Sequence, residues 1–207
     1  MQALRRMPAY LYYLKSIHEE GVQSISAAKA SEFFHYSEIQ VRKDFAAVST
    51  MRGKAKTGFS VKELIDGIEL YLGFRNTKEA LLAGTGRLGR ALLNYNGFSA
   101  YGLSIVAAFD NNPEMIGKVI NGKHILPAEK ISNTCSRMNI NIGIIAVPAS
   151  QAQIVCDQFV AGGAKAIWNF APINLSVPEG ILVQNENMAV SLAILSKHLE
   201  EAINAQN

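Results

Sequence analysis

Six residues, Gly84-Thr85-Gly86-Arg87-Leu88-Gly89, carry the spacing of a phosphate-binding turn, and an acidic residue, Asp110, follows at the distance such a turn needs. Gly84 suits a tight exit from a strand, Gly86 lets backbone approach a pyrophosphate, and Gly89 lets a helix pack closely on a sheet. The anion would rest on the free N–H groups of Arg87, Leu88 and Gly89 at the positive end of that helix. The Asp110 carboxylate can accept hydrogen bonds from the adenosine ribose hydroxyls and would repel a 2′-phosphate, which favours NAD(H) over NADP(H).

The flanking residues supply the context. Glu79-Ala80-Leu81-Leu82-Ala83 reads as a buried strand, Arg90-Ala91-Leu92-Leu93 continues a helix, and Ser104 to Phe109 forms a second apolar strand ending at Asp110. Further strands are expected near 141–147, 165–169 and 181–184. Helices are expected near 87–96, 127–138, 150–161 and 187–204. Such alternation implies a parallel sheet with right-handed crossovers. In that arrangement the carboxyl ends of strands border the ligand crevice, so Val147 and Pro148 after the third strand and Phe170 after the fourth join the candidates.

Upstream the chemistry changes. Residues 1–75 hold 11 Lys and Arg against 8 Asp and Glu, whereas residues 76–207 hold 9 of each. Between Arg42 and Lys62 six basic residues face only Asp44, a footprint for a polyanion. Pro8 suits the first turn of a helix that runs on through Tyr10 to His18 and stops at Gly21. Ser26 caps a second helix to about Phe34, and Ser37 caps a third over Glu38 to Phe45. In the third helix Ile39, Val41, Phe45 and Val48 are expected to be buried, leaving Gln40, Arg42 and Lys43 for a ligand. Two short helices joined through His35-Tyr36 fit a helix-turn-helix. Gly53-Lys54-Ala55-Lys56-Thr57-Gly58 then reads as a basic hairpin tip, followed by a helix over about 61–72 and a linker over 73–78.

Composition bounds the function. With 49% hydrophobic and 18% charged residues the chain suits globular packing, and no apolar run approaches the roughly 18 residues of a bilayer span. Arg5, Arg6, Pro8 and Lys15 interrupt any signal-peptide pattern, so the cytoplasm is expected, with no membrane partner. Cys135 and Cys156 lack metal or Cys-x-x-Cys spacing and read as reduced structural thiols. His18, His35, His124 and His198 show no metal spacing either. A dehydrogenase needs a proton donor and substrate-holding groups beside the nicotinamide, and no convincing candidate for either stands out.

Taken together, Val41-Arg42-Lys43-Asp44-Phe45, Gly84 to Gly89, Ala91-Leu92-Leu93-Asn94-Tyr95, Ala107-Ala108-Phe109-Asp110, Ile145-Ala146-Val147-Pro148 and Asn169-Phe170-Ala171-Pro172 resemble the Rex family of redox-sensing transcriptional repressors over nearly the whole chain. The resemblance implies an N-terminal winged helix-turn-helix domain (1–75), a Rossmann-type NAD(H)-binding domain (76–186) and a C-terminal dimerisation helix (187–207) swapped into the partner of a homodimer. It further implies binding to double-stranded operator DNA and release by NADH. By position Tyr95 would lie near the nicotinamide. Asn187 stands where the family usually has an aspartate that couples to this tyrosine, and an amide supplies no charge. The wing departs too, with Ala55 in place of an arginine and Lys56 adding charge one place later.

Within the first domain Gln40 is assigned to base reading, since its amide can pair bidentately with adenine. Arg42 and Lys43 read guanine or clamp phosphate, and Ser37 lies at the same helix start. Lys54 and Lys56 approach backbone or minor groove. Two rivals remain: a small NAD-dependent oxidoreductase with a helical dimerisation domain, and a coenzyme A-binding module like the small domain of acyl-CoA ligases. Asp110 argues against the second.

Overall fold

The computed structural model describes residues 2–49, 58–73, 78–186 and 188–204. The chain divides into two compact units, Met1–Thr77 with Ala100–Gly102, and Lys78–Ser99 with Leu103–Asn207.

The first unit is built from α1 (Gln2–Glu19), β1 (Ser24–Ile25), α2 (Ala27–Phe34), α3 (Glu38–Val48), β2 (Phe59–Ser60) and α4 (Val61–Leu72), with β1 and β2 paired antiparallel. Serines start three of its helices: the hydroxyls of Ser26, Ser37 and Ser60 accept from the N–H groups of Lys29, Gln40 and Glu63. Each such cap is worth about 1 kcal/mol. Met7, Tyr10, Leu11, Leu14 and Ile17 form the buried stripe of α1 and pack with Val41, Phe45, Leu64 and Ile68. That stripe explains a departure from expectation. Pro8 lies inside α1 rather than in its first turn. Burial of Met7, one turn before Leu11, outweighs the hydrogen bond that proline cannot donate. Ile39 is likewise exposed rather than buried, because Val41, Asp44, Phe45 and Val48 set the inward face of α3.

One polar group enters this core. Asp44 is almost wholly buried and accepts from Arg6 Nε at 2.7 Å, Arg6 Nη2 at 3.0 Å, Tyr10 Oη at 3.0 Å and Gln40 Nε2 at 3.0 Å. Burial acts against the charged carboxylate, yet the bonds from Arg6, Tyr10 and Gln40 together hold it below the usual carboxylate range. Burial, with help from the adjacent carboxylate, pushes the Tyr10 phenol up. The network ties α3 to α1.

The second unit is a seven-stranded sheet in the order β5-β6-β4-β3-β7-β8-β9. Its strands are β3 (Lys78–Ala83), β4 (Leu103–Asp110), β5 (Val119–Ile120), β6 (Lys123–Pro127), β7 (Ile142–Ile145), β8 (Ala166–Asn169) and β9 (Leu182–Asn185). All neighbours are parallel except β5 and β6. Its helices are α5 (Arg87–Asn94), α6 (Gly97–Ala100), α7 (Ile131–Arg137), α8 (Ala149–Ala161) and α9 (Met188–Asn204). Successive residues of β3 face opposite sides, Ala80 and Leu82 into a cluster with Leu93, Leu81 and Ala83 into one with Ile131, Val155 and Phe159. The sheet is therefore covered on both faces, by α5 on one and by α7 and α8 on the other.

Two boundaries and one hairpin differ from the sequence expectations. The third strand ends at Ile145, two residues early, releasing Ala146 and Val147 into a loop. The helix expected over 127–138 begins as a 3-10 turn at Ala128–Lys130 and is α-helical only from Ile131. The β5–β6 hairpin was not anticipated. Asn121 and Gly122 turn it with φ of 45° and 73°, the pair of positive values that an Asn-Gly turn supplies.

The anchor in the first unit generates a test. A carboxyl held low in the folded state contributes stability above the ordinary carboxylate range and loses it as pH falls through the depressed value. Asp44→Asn should destabilise the protein by about 3 kcal/mol at pH 7. Thermal melts from pH 7 to 3 should then show a flatter acid arm than wild type. An unaltered acid arm would contradict the anchoring role.

Candidate functional site

The second unit places its site by topology. From β3 the chain runs outward through β4 and β6, then returns to the other side of β3 at β7. The crevice at the carboxyl ends of β3, β4 and β7 is the switch point where such sheets bind ligands. A cavity of about 460 Å³ occupies it. Its walls include Gly84, Thr85 and Gly86 after β3, Asp110 at the end of β4 with Asn111 and Asn112 beyond it, and Ala146, Val147 and Pro148 after β7.

The glycines fit their assigned tasks. Gly84 has φ +95°, and a Cβ there would fall 2.5 Å from the carbonyl oxygen of Ala146. A Cβ on Gly89 would lie 1.8 Å from the carbonyl oxygen of Gly84, so α5 can approach the turn only with glycine there. A Cβ on Gly86 would meet nothing within 4 Å, because this residue faces the cavity. Gly86 is also the N-cap of α5 and offers no side chain to its first-turn N–H groups. A backbone cradle with unspent donors at a helix start suits a pyrophosphate.

Asp110 organises the turn. Its Oδ2 accepts from the Thr85 backbone N–H at 2.8 Å and from the Thr85 hydroxyl, and its Oδ1 accepts from Asn112 N–H at 2.9 Å. Burial raises its pKa, but the Thr85 hydroxyl and the N–H groups of Asn112, Thr85 and Asn111 bring it below the usual range. The group is thus an anion at neutral pH. One of its donors is a hydroxyl that can rotate away, which frees the carboxylate to accept from a ligand. A ribose diol fits such an acceptor. The residues present therefore suit an NAD(H) adenosine and pyrophosphate, and such a group would supply hydride chemistry at its nicotinamide.

The candidates do not all meet here. Gly84, Thr85, Gly86, Asp110, Val147 and Pro148 line the cavity, whereas Arg87, Leu88 and Gly89, in the first turn of α5, are not part of its wall. Tyr95 is half exposed, packs edge-on against Phe98 at 4.8 Å, and borders a separate hollow of about 120 Å³. Phe170 packs on Trp168 at 4.9 Å instead of entering the cavity. Its loop is held by buried Asn169, whose side chain bonds Ala171, Ile173 and Asn185. Asn187 lies outside the described residues.

Other wall residues were not foreseen. Arg90 lies one turn into α5, and its Nε reaches the Gly86 carbonyl at 3.4 Å, carrying positive charge to the cradle. Its place four residues after Gly86 was a readable signal. Gln151, Ile154, Val155 and Gln158 line the cavity from one face of α8. Their i, i+3, i+4, i+7 spacing is visible in sequence, but an ordinary core face has the same spacing.

In the first unit α3 presents its outer face. Arg42 and Lys43 are exposed, Arg42 pairs with Glu38 one turn earlier, and Ser37 is committed to capping. Gln40 is half buried and its amide donates to Asp44. Lys54 and Lys56 lie outside the described residues. Both thiols are buried and unpaired, and burial pushes Cys156 up to about 11. Along α9, Val190, Leu192, Ile194, Leu195, Leu199 and Ile203 are all more than half exposed. No described helix is long and apolar enough to cross a membrane.

Comparison with known proteins agrees with this geometry. Residues 75–173 match the family described as CoA binding domain, and residues 1–46 match the family described as putative DNA-binding protein N-terminus. Redox-sensing transcriptional repressors named Rex match along their length. The one from Bacteroides fragilis is 39% identical over 95% of this chain and 89% of its own, and that from Clostridium beijerinckii is 36% identical over 98% and 95%. Two solved structures of the Rex-family repressor RSP are 32% identical and cover all of this chain. The complex with β-NAD+ and operator DNA has a TM-score of 0.90 over 94% of that protein, and the complex with β-NADH has 0.85 over 98%. With its helix-turn-helix unit, its doubly covered parallel sheet and its acidic glycine-loop site, the chain belongs to the Rex family of redox-sensing transcriptional repressors.

Proposed function

We propose that this protein holds operator DNA as a homodimer and releases it when NADH enters the glycine-loop cavity, so that transcription reports the NADH/NAD+ ratio of the cytoplasm. The carrying observation is Asp110, an anion fixed to the glycine turn at the edge of the cavity. RSP, bound to β-NAD+ and operator DNA in one structure and to β-NADH in another, supports both ligand classes. In this reading the cofactor is a signal and is not turned over. Gly84, Thr85 and Gly86, with the N–H groups of Arg87, Leu88 and Gly89, hold the pyrophosphate, and Asp110 holds the ribose. Val147 and Pro148 wall the crevice. Tyr95, Phe170 and Asn187 act at the nicotinamide end, where the second subunit completes the site.

Ser37, Gln40, Arg42 and Lys43 form the recognition surface, and Lys54 and Lys56 the basic wing. Gln40 must exchange its bond to Asp44 for a base edge, or read DNA through water. The apolar residues of α9 support a helix that docks on the partner subunit. The match to a coenzyme A-binding family supports a common Rossmann-type architecture, while Asp110 favours the dinucleotide.

Three outcomes are expected. Asp110→Ala should weaken NADH binding about 100-fold by calorimetry, the loss of two hydrogen bonds to a charged group, and should leave cofactor-free operator binding within about twofold. Unchanged NADH affinity would remove the ribose role. Arg42→Ala with Lys54→Ala should lower the slope of log affinity against log salt by about 0.9 for each phosphate that is no longer neutralised. An unaltered slope would move the DNA surface elsewhere. Leu195→Asp with Leu199→Asp should turn the dimer into monomer in sedimentation, and a dimer that survives would exclude α9 from the interface.

A further inference from the structure

Ile39 stands in the first turn of α3 and is 70% exposed, outside the apolar cluster that fills the first unit. Helix periodicity says which way it points. Val41, Asp44, Phe45 and Val48 are the buried residues of α3. Ile39, Arg42, Lys43 and Ala46 follow the i, i+3, i+4, i+7 spacing of the opposite stripe, and all four are exposed. That stripe carries two cations, one large apolar group and an alanine small enough to let a surface come close. The second helix of a helix-turn-helix touches base edges with its N-terminal residues. At the start of α3 the polar side chains are already engaged. Ser37 caps the helix, Glu38 accepts from Arg42, and Gln40 donates to Asp44. Ile39 is the residue of this turn that gives up no hydrogen bond on meeting a base. The bonds from Arg6 and Tyr10 to Asp44 fix the helix that presents it.

We propose that Ile39 is a specificity-determining residue that reads thymine, by packing its side chain on the thymine 5-methyl group in the major groove. This rests on reading α3 as the helix that enters DNA. The methyl group is the apolar feature of the groove floor, whereas cytosine shows an amino group there and the purines show acceptors at N7. An isoleucine laid over any of these would strip water from a polar group and return no hydrogen bond. Arg42 and Lys43, one turn further along the same stripe, draw the helix to the phosphate backbone without distinguishing sequences by that contact. Ile39 adds the distinction.

The test removes the methyl group from the DNA and the side chain from the protein in turn. The probe is a duplex that the full-length wild-type protein selects from a random palindromic library. Each thymine of a half-site is replaced, together with its symmetry mate, by 2′-deoxyuridine, which lacks only the 5-methyl group. Affinities are read by fluorescence anisotropy at fixed salt. At one thymine position the wild type should lose about fourfold per methyl group, hence about 15-fold for the pair. Ile39→Ala should bind the thymine duplex more weakly and lose no more than about twofold at that same position. Its melting temperature and its salt slope should match wild type, because the residue is exposed and uncharged. A wild type indifferent to every such replacement, or a penalty that survives in Ile39→Ala, would overturn the thymine assignment alone. A wild type that selects no duplex would overturn the DNA-reading role of α3 together with it.

Discussion

The bond between the Asp110 carboxylate and the Thr85 N–H fixes the relation between two adjacent strand ends, and the ligand site depends on that relation. It links the turn after β3 to the end of β4, so that the glycine cradle and the acidic group share one rigid frame. The turn is also closed from behind, with Gly84 N–H on the Phe109 carbonyl at 2.8 Å and Ala146 N–H on the Ala83 carbonyl at 2.8 Å. Because three strands meet in these bonds, the site needs no movable side chain to form its phosphate-facing edge. Preorganisation of this kind lets a cofactor act as a signal, since binding energy is not consumed in ordering the pocket.

The first unit repeats the device with another aspartate. Asp44 fixes α3 to α1 through Arg6 and Tyr10, and the same carboxylate restrains Gln40. The group that positions α3 thus also holds a residue proposed to read a base. The orientation of α3 is set by a buried ion pair, and its outer face is left to Arg42 and Lys43. Such stiffness suits the proposed role of α3, because a helix that reads DNA discriminates between sites only if it holds its angle.

Much of this was legible in the sequence where geometry leaves little choice. Gly84 and Gly89 are forced by a positive φ and by carbonyls too close for a Cβ, and such positions leave a fixed spacing. Ser26 and Ser37 announced their helices because only a few side chains can cap a helix. Pro8 misled because a local preference was weighed without the Met7 burial that overrides it. Ile39 misled because an apolar side chain says nothing of which way a short helix turns. The Asn121-Gly122 hairpin was readable in kind but flanked by strands too short to show alternation. Gln151 and Gln158 were illegible as wall residues, since an ordinary core face of a helix has the same spacing.

What joins the halves is a thermodynamic linkage: NADH acts on DNA only so far as it prefers a conformation that DNA does not. By reciprocity, operator DNA must weaken NADH by the same factor as NADH weakens operator DNA. The most direct measurement is therefore operator affinity by fluorescence anisotropy at fixed salt, with increasing NADH, set against NADH affinity with and without saturating operator. The account predicts a fall in DNA affinity with NADH and an equal fall in NADH affinity with DNA. Operator affinity indifferent to saturating NADH would contradict it.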